Sequence, residues 1–463
     1  MFENLLGQRA ADQIREDMSA GRLAPSMLFF GPPASGKGTA ALELARALSC
    51  EAAGPGNGPD AAPWNCGCPA CAAHRQLAHI DLLVLGSRPF APEISAARAA
   101  FLREPGSAAV SMLFIRSVRK LLIRFSPVLL EDDPKSGKLN PLLAALEEGL
   151  GDLELTVQGG TGEAEKISAA IMKSAFKLEA EGIGDHIPIG QIRRAAYWSH
   201  LAPAGRRKTL LIENADRMQD GARNSLLKIL EEPPETLSII LTAPRREAIL
   251  PTLLSRLRPY RFLRRDAAIE GEVIRRVFRD ALPERAGEAA GLIGAYLDSF
   301  LPLPDEKLYP LAAYFIAALA RISAHTLRRQ RIAALPEELL LLGTHCAPIA
   351  EGAGLARPED IREILARILS ETGSFEARSF PRFLNAALSL VSEALRGGYG
   401  KPGFIAYIEI WRKYAREADA AAGVWNQNPA LALERLFSGL RSAMTAAAAR
   451  APEPQAGGSA GPY

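Results

Sequence analysis

Short apolar runs, separated by helically spaced apolar positions, characterise two stretches of the chain, residues 1–86 and 187–264. Each run has four residues and few polar interruptions, as expected for a strand that is buried on both faces. The runs are Met27–Phe30, Leu82–Leu85, Thr209–Ile212 and Ser238–Leu241. Strands that alternate with helices form parallel sheets, because each crossover helix covers one face. The two stretches therefore predict one α/β core with a parallel sheet.

The rest of the chain has helical spacing and no clear strand signal. Residues 90–186 contain helical patterns, such as Ser111–Phe125, separated by connecting segments rich in Pro and Gly. They predict a mainly helical insertion in the α/β core. Apolar positions between about 265 and 447 also recur at helical intervals. Residues 448–463 are rich in Gly, Pro and Ala and predict a disordered tail.

The composition is that of a globular protein, with 48% hydrophobic and 23% charged residues among 463. The net charge is only +3, so any contact with nucleic acid must come from a local patch. The N-terminus has early acidic residues and no apolar core, so it does not predict a signal peptide. The most apolar helical stretch, Leu311–Ala320, is too short to span a bilayer. We expect a cytoplasmic protein without a membrane partner.

A glycine-rich segment follows the first apolar run and precedes a helical pattern, which is the context of a phosphate-binding loop (P-loop). Its backbone N–H groups and the helix N-terminus attract phosphate oxygens, and Lys37 would reach the outer phosphates. The hydroxyl that binds magnesium normally follows this lysine, but Gly38 stands there and Thr39 comes one position later. The alternative is a glycine-rich turn without a ligand. The candidate nucleotide-binding residues are Gly31, Pro32, Ser35, Gly36, Lys37, Gly38 and Thr39.

An acidic segment follows the apolar run at Thr209–Ile212. Glu213 stands where P-loop proteins place the carboxylate that supports magnesium, so we assign it to the nucleotide site. Asn214 stands where a glutamate would orient water, and an amide cannot act as a general base. Thr242 is the candidate polar sensor after the next strand, and Asp216 is interpreted as an acid at a helix start. ATP with Mg²⁺ is therefore the candidate ligand, with weak or no hydrolysis.

Four of the five cysteines lie between positions 50 and 71, namely Cys50, Cys66, Cys68 and Cys71. Tetrahedral thiolate coordination suits zinc, so we predict a structural Zn²⁺ site. The spacing is unusual, with one residue between Cys66 and Cys68, which leaves open a site that skips one cysteine and uses His74. Free thiols in a loop are the other alternative.

Two basic stretches are candidates for contacts with a DNA backbone or an acidic partner. The first comprises Arg116, Arg119, Lys120 and Arg124 in the insertion, and the second is Arg206–Lys208 before the acidic segment. We favour a solvated helix face for the first and a solvated turn for the second.

Several segments together resemble the bacterial DNA polymerase III clamp-loader subunits of the delta-prime type, an AAA+ family. The resemblance covers residues 1–86, 187–264 and, weakly, the C-terminal half, whereas 90–186 are not part of it. In the Leu250–Leu257 segment, Leu257 replaces the cysteine of the family's Ser-Arg-Cys motif. The segments are Phe2–Gln8, Arg22–Phe29, Ala215–Met218, Asn224–Pro234, Leu250–Leu257 and Asn426–Glu434.

This resemblance implies an AAA+ core, formed by 1–86 and 187–264 and carrying the cysteine module at 50–71. A helical lid at 265–305 and a helical collar at 306–447 would follow. It also implies assembly with gamma/tau and delta subunits into a ring that loads the sliding clamp onto primed DNA. Arg256 would then be an arginine finger that acts on ATP bound by a neighbouring subunit. The alternative for Arg256 is an ordinary surface or salt-bridged arginine.

Two other functions stay open at this point. An active gamma/tau-like ATPase would need the general base that Asn214 replaces. A nucleotide kinase would agree with Gly36–Thr39, which resembles the adenylate kinase loop. The Leu226–Pro234 stretch and the long helical C-terminus argue against the kinase.

Overall fold

A five-stranded parallel sheet forms the centre of the first part of this computed structural model. The strands are β1 (Ser26–Phe30), β2 (Leu82–Gly86), β3 (Lys208–Glu213), β4 (Leu237–Ala243) and β5 (Arg258–Arg261). Their order across the sheet is β2-β3-β4-β1-β5, and every pairing is parallel. The α/β fold class predicted from the sequence is therefore confirmed, as are the four predicted strands.

The chain divides into two compact units, Met1–Leu301 and Pro302–Tyr463. The structure describes residues 1–53, 62–157, 162–184, 186–280, 291–301, 303, 305–332, 335–355, 360–372, 379–396, 402–423 and 427–450. Of the tail predicted at 448–463, residues 448–450 belong to the last helix, and 451–463 lie outside the described residues. Asn426 of the C-terminal family segment is also outside the described residues.

Thirteen helices accompany the sheet in the described part of the first unit. They are α1 (Arg9–Ser19), α2 (Lys37–Ser49), α3 (Pro69–Arg75), α4 (Ala91–Arg103), α5 (Ala108–Leu122), α6 (Pro127–Leu130), α7 (Ser136–Val157), α8 (Gly162–Gly182), α9 (Ile189–His200), α10 (Asp220–Glu231), α11 (Pro251–Leu254), α12 (Ala267–Val273) and α13 (Gly291–Ser299). Single 3₁₀ turns occupy Ile123–Phe125, Ala215–Arg217 and Arg246–Ala248, and a π-helical turn occupies Ile274–Phe278.

Successive residues of each strand enter two separate cores on opposite faces of the sheet. In β2, Leu82 and Val84 join the core that includes α1 and α2. Leu83 and Leu85 join the core formed with α9 and α10. Because helices cover both faces, the central residues of β1–β4 are mostly apolar, and this gave the continuous runs in the sequence.

Strand β5 is an element that the sequence pattern did not predict. Its sequence is Arg-Pro-Tyr-Arg, and only Tyr260 is buried. The strand pairs with β1 alone at the edge of the sheet, where proline is tolerated and one buried side chain is sufficient. The Tyr260 hydroxyl donates a hydrogen bond to Asp17 of α1 at 2.8 Å, which fixes this edge to the N-terminal helix.

Helices α4–α8 have a hydrophobic core of their own. It contains Phe90, Phe101, Phe114, Leu146 and Leu178, all of which are buried. A smaller core joins the same region to the following helices, where α4 packs near α13. The residues between β2 and α9 thus form a packed helical subdomain attached to the sheet.

The second unit is all-helical within its described residues. Its helices are α14 (Asp305–Arg329), α15 (Glu337–Gly352), α16 (Ile361–Thr372), α17 (Ser379–Ala394), α18 (Pro402–Gly423) and α19 (Pro429–Arg450). Phe315 of α14 lies at the centre and contacts the rings of Phe383, Trp411 and Phe437.

One helix of the described residues, Glu306–Arg329, is long and apolar enough to cross a membrane by length and composition. In this structure 61% of its most apolar window is buried inside the protein. The apolar stretch in the sequence is therefore part of a longer helix than its pattern predicts. Burial of this extent is typical of a core helix.

The close pairing of β2 and β3 gives a test of this architecture. Gly86 has φ +136° and pairs with Glu213, so a side chain there would overlap the Glu213 backbone. We expect Gly86→Ala to lower the stability of the first unit by about 2 kcal/mol or more. Thermal unfolding measures this loss. Gly106→Ala is the control, because nothing lies within 4 Å of its added carbon, and an equal effect in both variants would contradict the prediction.

Candidate phosphate loop and cysteine centre

The glycine-rich loop connects β1 to α2 and is shaped by backbone conformations that favour glycine. Gly36 precedes the first helical residue with φ +92°, and Gly31 has φ +155°. A side chain on Gly31 would overlap the carbonyl of Phe262, so the loop packs closely against the segment after β5. The N-terminus of α2 therefore opens directly into the loop, which is the geometry that attracts anions.

Lys37 lies inside this loop. Its ammonium group donates hydrogen bonds to the carbonyls of Gly31 and Pro32 at 2.7 and 2.6 Å. Burial lowers the pKa of Lys37 to about 8, although the charges of Glu213 and Asp216 oppose the shift. The Ser35 hydroxyl donates to the Pro32 carbonyl at 2.8 Å. The lysine is thus held by the loop and close to two carboxylates.

Glu213, at the end of β3, is buried between two arginines. Arg88 donates from Nε to Glu213 Oε2 at 2.9 Å, and Arg124 donates from Nη2 to the same oxygen. Burial alone would raise the pKa of Glu213, but Arg124 and Arg88 hold it below its ordinary value. Arg88 also contacts Glu93, which pairs with Lys120. This group of five side chains is called the arginine cluster below.

The interpretation of the first basic stretch as a solvated face is wrong. Arg124 is buried against Glu213, and Lys120 pairs with Glu93. Arg119 pairs with Glu154 of α7 at 2.9 Å. Arg116 donates to the backbone carbonyls of the C-terminal end of α3. These cations hold the helical subdomain to its neighbours, a role that amphipathic spacing alone cannot reveal.

The interpretation of Arg206–Lys208 as a solvated turn is wrong for Lys208, which is buried, whereas Arg206 is exposed. Arg206 donates to the carbonyl of Cys50 at 2.7 Å, and Arg207 donates to the Ser238 hydroxyl at 2.7 Å. Lys208 is buried and donates to the carbonyls of Trp198 and Leu201. All three side chains join the turn to neighbouring elements.

Asn214 and Thr242 lie at the carboxyl ends of adjacent strands. The Asn214 backbone N–H donates to the Thr242 hydroxyl at 3.1 Å, and its side-chain amide donates to the Ser87 carbonyl at 2.8 Å. Asn214 has φ +52°, a left-handed conformation that asparagine tolerates better than most residues. Asp216 lies in the first turn of the 3₁₀ segment Ala215–Arg217.

Thr39 lies beside the N-terminal segment and not in the arginine cluster. Thr39 is exposed and lines a small pocket with residues of the N-terminal segment, including Phe2 and Asn4, and with Trp64 and Arg116. Gly38, in contrast, faces Glu213, because a carbon added to Gly38 would lie 2.6 Å from Glu213 Oε1.

The four clustered cysteines converge on one point. Their sulfur atoms all lie within 4.8 Å of one another, with Cys50 3.7 Å from Cys66 and 4.0 Å from Cys68. Zinc bound to four thiolates at about 2.3 Å requires sulfur separations of about 3.8 Å. Cys50 follows the C-terminus of α2, and Cys68 caps the N-terminus of α3, which carries Cys71. The four cysteines are therefore able to hold a metal ion, and His74 is not part of this group.

Arginine side chains surround the cysteines, and the sequence pattern did not identify them. Arg46 donates to Cys71 Sγ at 2.9 Å and forms two hydrogen bonds with Glu43. Arg75 donates to the carbonyl of Cys66 at 2.7 Å. Burial works to raise the pKa of Cys68, but hydrogen bonds led by the backbone N–H of Cys71 lower it to about 6. Such contacts orient the thiolates and offset their negative charge.

Arg256 follows α11 and is partly exposed, with 33% of its side chain accessible. It donates to Glu231 Oε1 at 2.7 Å and to the Thr252 carbonyl at 2.8 Å. Glu231 ends α10, so the ion pair joins the Asn224–Pro234 segment to the Leu250–Leu257 segment.

The fold and the loop define a P-loop α/β protein with a cysteine centre. Comparison with known proteins indicates a family as well as this fold class. The sequence model of the family described as "DNA polymerase III, delta subunit" matches residues 158–266. The DNA polymerase III subunit delta' of Pseudomonas aeruginosa is 29% identical over 182 residues, which cover 38% of this chain and 54% of that relative. The resemblance to the delta-prime clamp-loader family is confirmed by these matches.

The chain spans only about half the length of this curated relative. Among solved structures, a DNA polymerase III gamma subunit-related protein from Thermotoga maritima shares 18% identity. The match covers 56% of this chain and 81% of that chain with a TM-score of 0.26. A TM-score of this size carries no structural argument.

Proposed function

We propose that this protein is a subunit of the DNA polymerase III clamp loader and helps to place the sliding clamp on primed DNA. The observation that carries this proposal is the family match at residues 158–266, which includes the acidic segment, α10 and Arg256. The partners would be the gamma/tau and delta subunits, the clamp and, through the complex, primed DNA. The protein would act in the cytoplasm.

The role of the AAA+ core in this proposal is that of a scaffold, with weak or no ATP hydrolysis of its own. Asn214 has no carboxylate to activate water. Glu213 already pairs with two arginines, which competes with a role beside magnesium. An active gamma/tau-like motor is therefore less well supported by the site than a subunit that assists a neighbour's ATP site.

Assembly is the direct test of this function. We expect the purified chain to co-elute with gamma/tau and delta subunits in size-exclusion chromatography, because AAA+ subunits of this family act as a ring. Each protein run alone provides the control. Elution of the chain as a separate species, in the presence of folded partners, would contradict the proposal.

Arg256 is the proposed arginine finger, which would exchange its contact with Glu231 for a phosphate on the neighbouring subunit. We expect Arg256→Ala to slow ATP turnover at that neighbouring site about 10³-fold or more. The assay uses a reconstituted loader in which the P-loop lysines of all other ATP sites are substituted. Arg245→Ala is the matched control, since Arg245 is also an exposed arginine and, like Arg256, follows β4 in the chain. Unchanged turnover in the Arg256 variant would remove the finger assignment.

We propose that the four cysteines bind one structural zinc ion. The measured metal content should be about one zinc per chain and should fall strongly in Cys66→Ser and Cys71→Ser, because each removes one thiolate. Cys346→Ser is the control, since Cys346 lies in the second unit. His74→Ala should keep its zinc. Zinc lost from the His74 variant but retained in a cysteine variant would support the alternative ligand set.

A further inference from the structure

The Glu213 carboxylate approaches the residue that follows the P-loop lysine, close to where a P-loop protein normally holds magnesium. Magnesium binds octahedrally at about 2.0–2.1 Å and usually bridges the hydroxyl after the P-loop lysine, a carboxylate and phosphate oxygens. Here Gly38 replaces the hydroxyl-bearing residue, and Glu213 Oε1 approaches it closely. A serine or threonine at position 38 would collide with this carboxylate.

Charge also opposes magnesium at this position. Arg88 and Arg124 both donate to Glu213 Oε2, so the carboxylate already carries two cationic partners. A divalent cation would have to displace these two guanidinium groups, of which that of Arg124 is buried, or bear their repulsion. The residues present do not fit the ion that the family implies.

We propose instead that Arg124 and Arg88 take the place of magnesium, so that the loop binds the phosphates of a nucleotide without a divalent metal. This inference deepens the nucleotide-binding role assigned to the loop, and it rests on that role. The arginine cluster holds three cations, Arg88, Lys120 and Arg124, against two carboxylates, Glu93 and Glu213. The cluster therefore has one excess positive charge beside the N-terminus of α2.

Arg124 provides the observation that points to an anionic ligand. Only 4% of its side chain is accessible, yet its Nε and Nη1 atoms have no hydrogen-bond partner. A buried N–H group without a partner is costly, and a phosphate oxygen is a strong acceptor for a guanidinium group. The same guanidinium contacts the carboxylate that faces Gly38, in the first turn of α2.

Lys37 would complete the site. Its ammonium group now bonds to two loop carbonyls, and Asp216 and Glu213 lie near enough to influence its charge. A phosphate in the loop would give Lys37 a stronger acceptor than those carbonyls. The loop amides, Lys37 and Arg124 together would then neutralise the phosphate charge that a metal neutralises elsewhere.

The test is equilibrium binding of ATP to the full chain, with a fluorescent ATP analogue as the reporter and unlabelled ATP as the competitor. Titrations are run with magnesium and with excess EDTA. We expect the two dissociation constants to agree within about twofold, because free ATP needs no metal at this site. Binding that requires magnesium, or no binding by the unmodified chain, would overturn the inference.

Substitutions of Arg124 test whether this side chain is responsible for metal-free ATP binding. Arg124→Met should weaken binding in EDTA about 10-fold or more, the loss expected for a charge-assisted hydrogen bond. Arg124→Lys should recover part of this loss because it keeps the charge. Arg119→Met is the control, since Arg119 lies on α5 and pairs with Glu154. Equal affinities of the Arg124→Met variant and the unmodified chain would contradict the assignment.

Separate measurements distinguish a failure of metal-free binding from misfolding of a variant and from failure of the proposed clamp-loader function. Thermal unfolding shows whether Arg124→Met is folded, and if it is not, Arg88→Met removes the other cation named in the proposal and should also weaken binding in EDTA. Co-elution with clamp-loader subunits reports on assembly independently of the nucleotide. Loss of metal-free binding with assembly retained would contradict only this inference.

Discussion

The contact of Glu213 with Arg124 and Arg88 is the interaction on which the candidate site depends. It lies at the end of β3 and joins the sheet to the helical subdomain between β2 and α9. Buried charges are stable only when they are paired, and removal of one partner from a buried pair typically costs about 3–5 kcal/mol. The pairing therefore connects the subdomain to the sheet beside the P-loop, and in our proposal it takes the place of a metal ion.

Metal binding by the four cysteines would likewise depend on the side chains that surround them. Four thiolates in one place repel one another, and a metal ion offsets that repulsion only if their positions are held. Arg46 contacts Cys71, and Arg206 connects the turn before β3 to the carbonyl of Cys50. Cys50 and Cys71 are thereby held by arginines from neighbouring elements, and the zinc ion that we propose would link them to Cys66 and Cys68.

Much of the core was predictable because its signals are local. Buried parallel strands need continuous apolar runs. The P-loop needs glycines at positions where the backbone φ and ψ angles lie outside the regions that other residues prefer. Strand β5 was not predictable from the same rule, since an edge strand with one buried residue, Tyr260, has almost no apolar pattern. The basic stretches were misinterpreted because a charged residue at helical spacing has the same pattern whether it is solvated or paired.

The sequence by itself determined the α/β core and predicted the P-loop, the loss of a general base at Asn214 and the four cysteines as metal ligands. Each follows from neighbouring residues in a short segment. Only the tertiary structure decided what Glu213 does, because its partners Arg88 and Arg124 are 125 and 89 positions away in the chain. Pairing over such distances is set by how the helical subdomain packs on the sheet, and no local pattern records it.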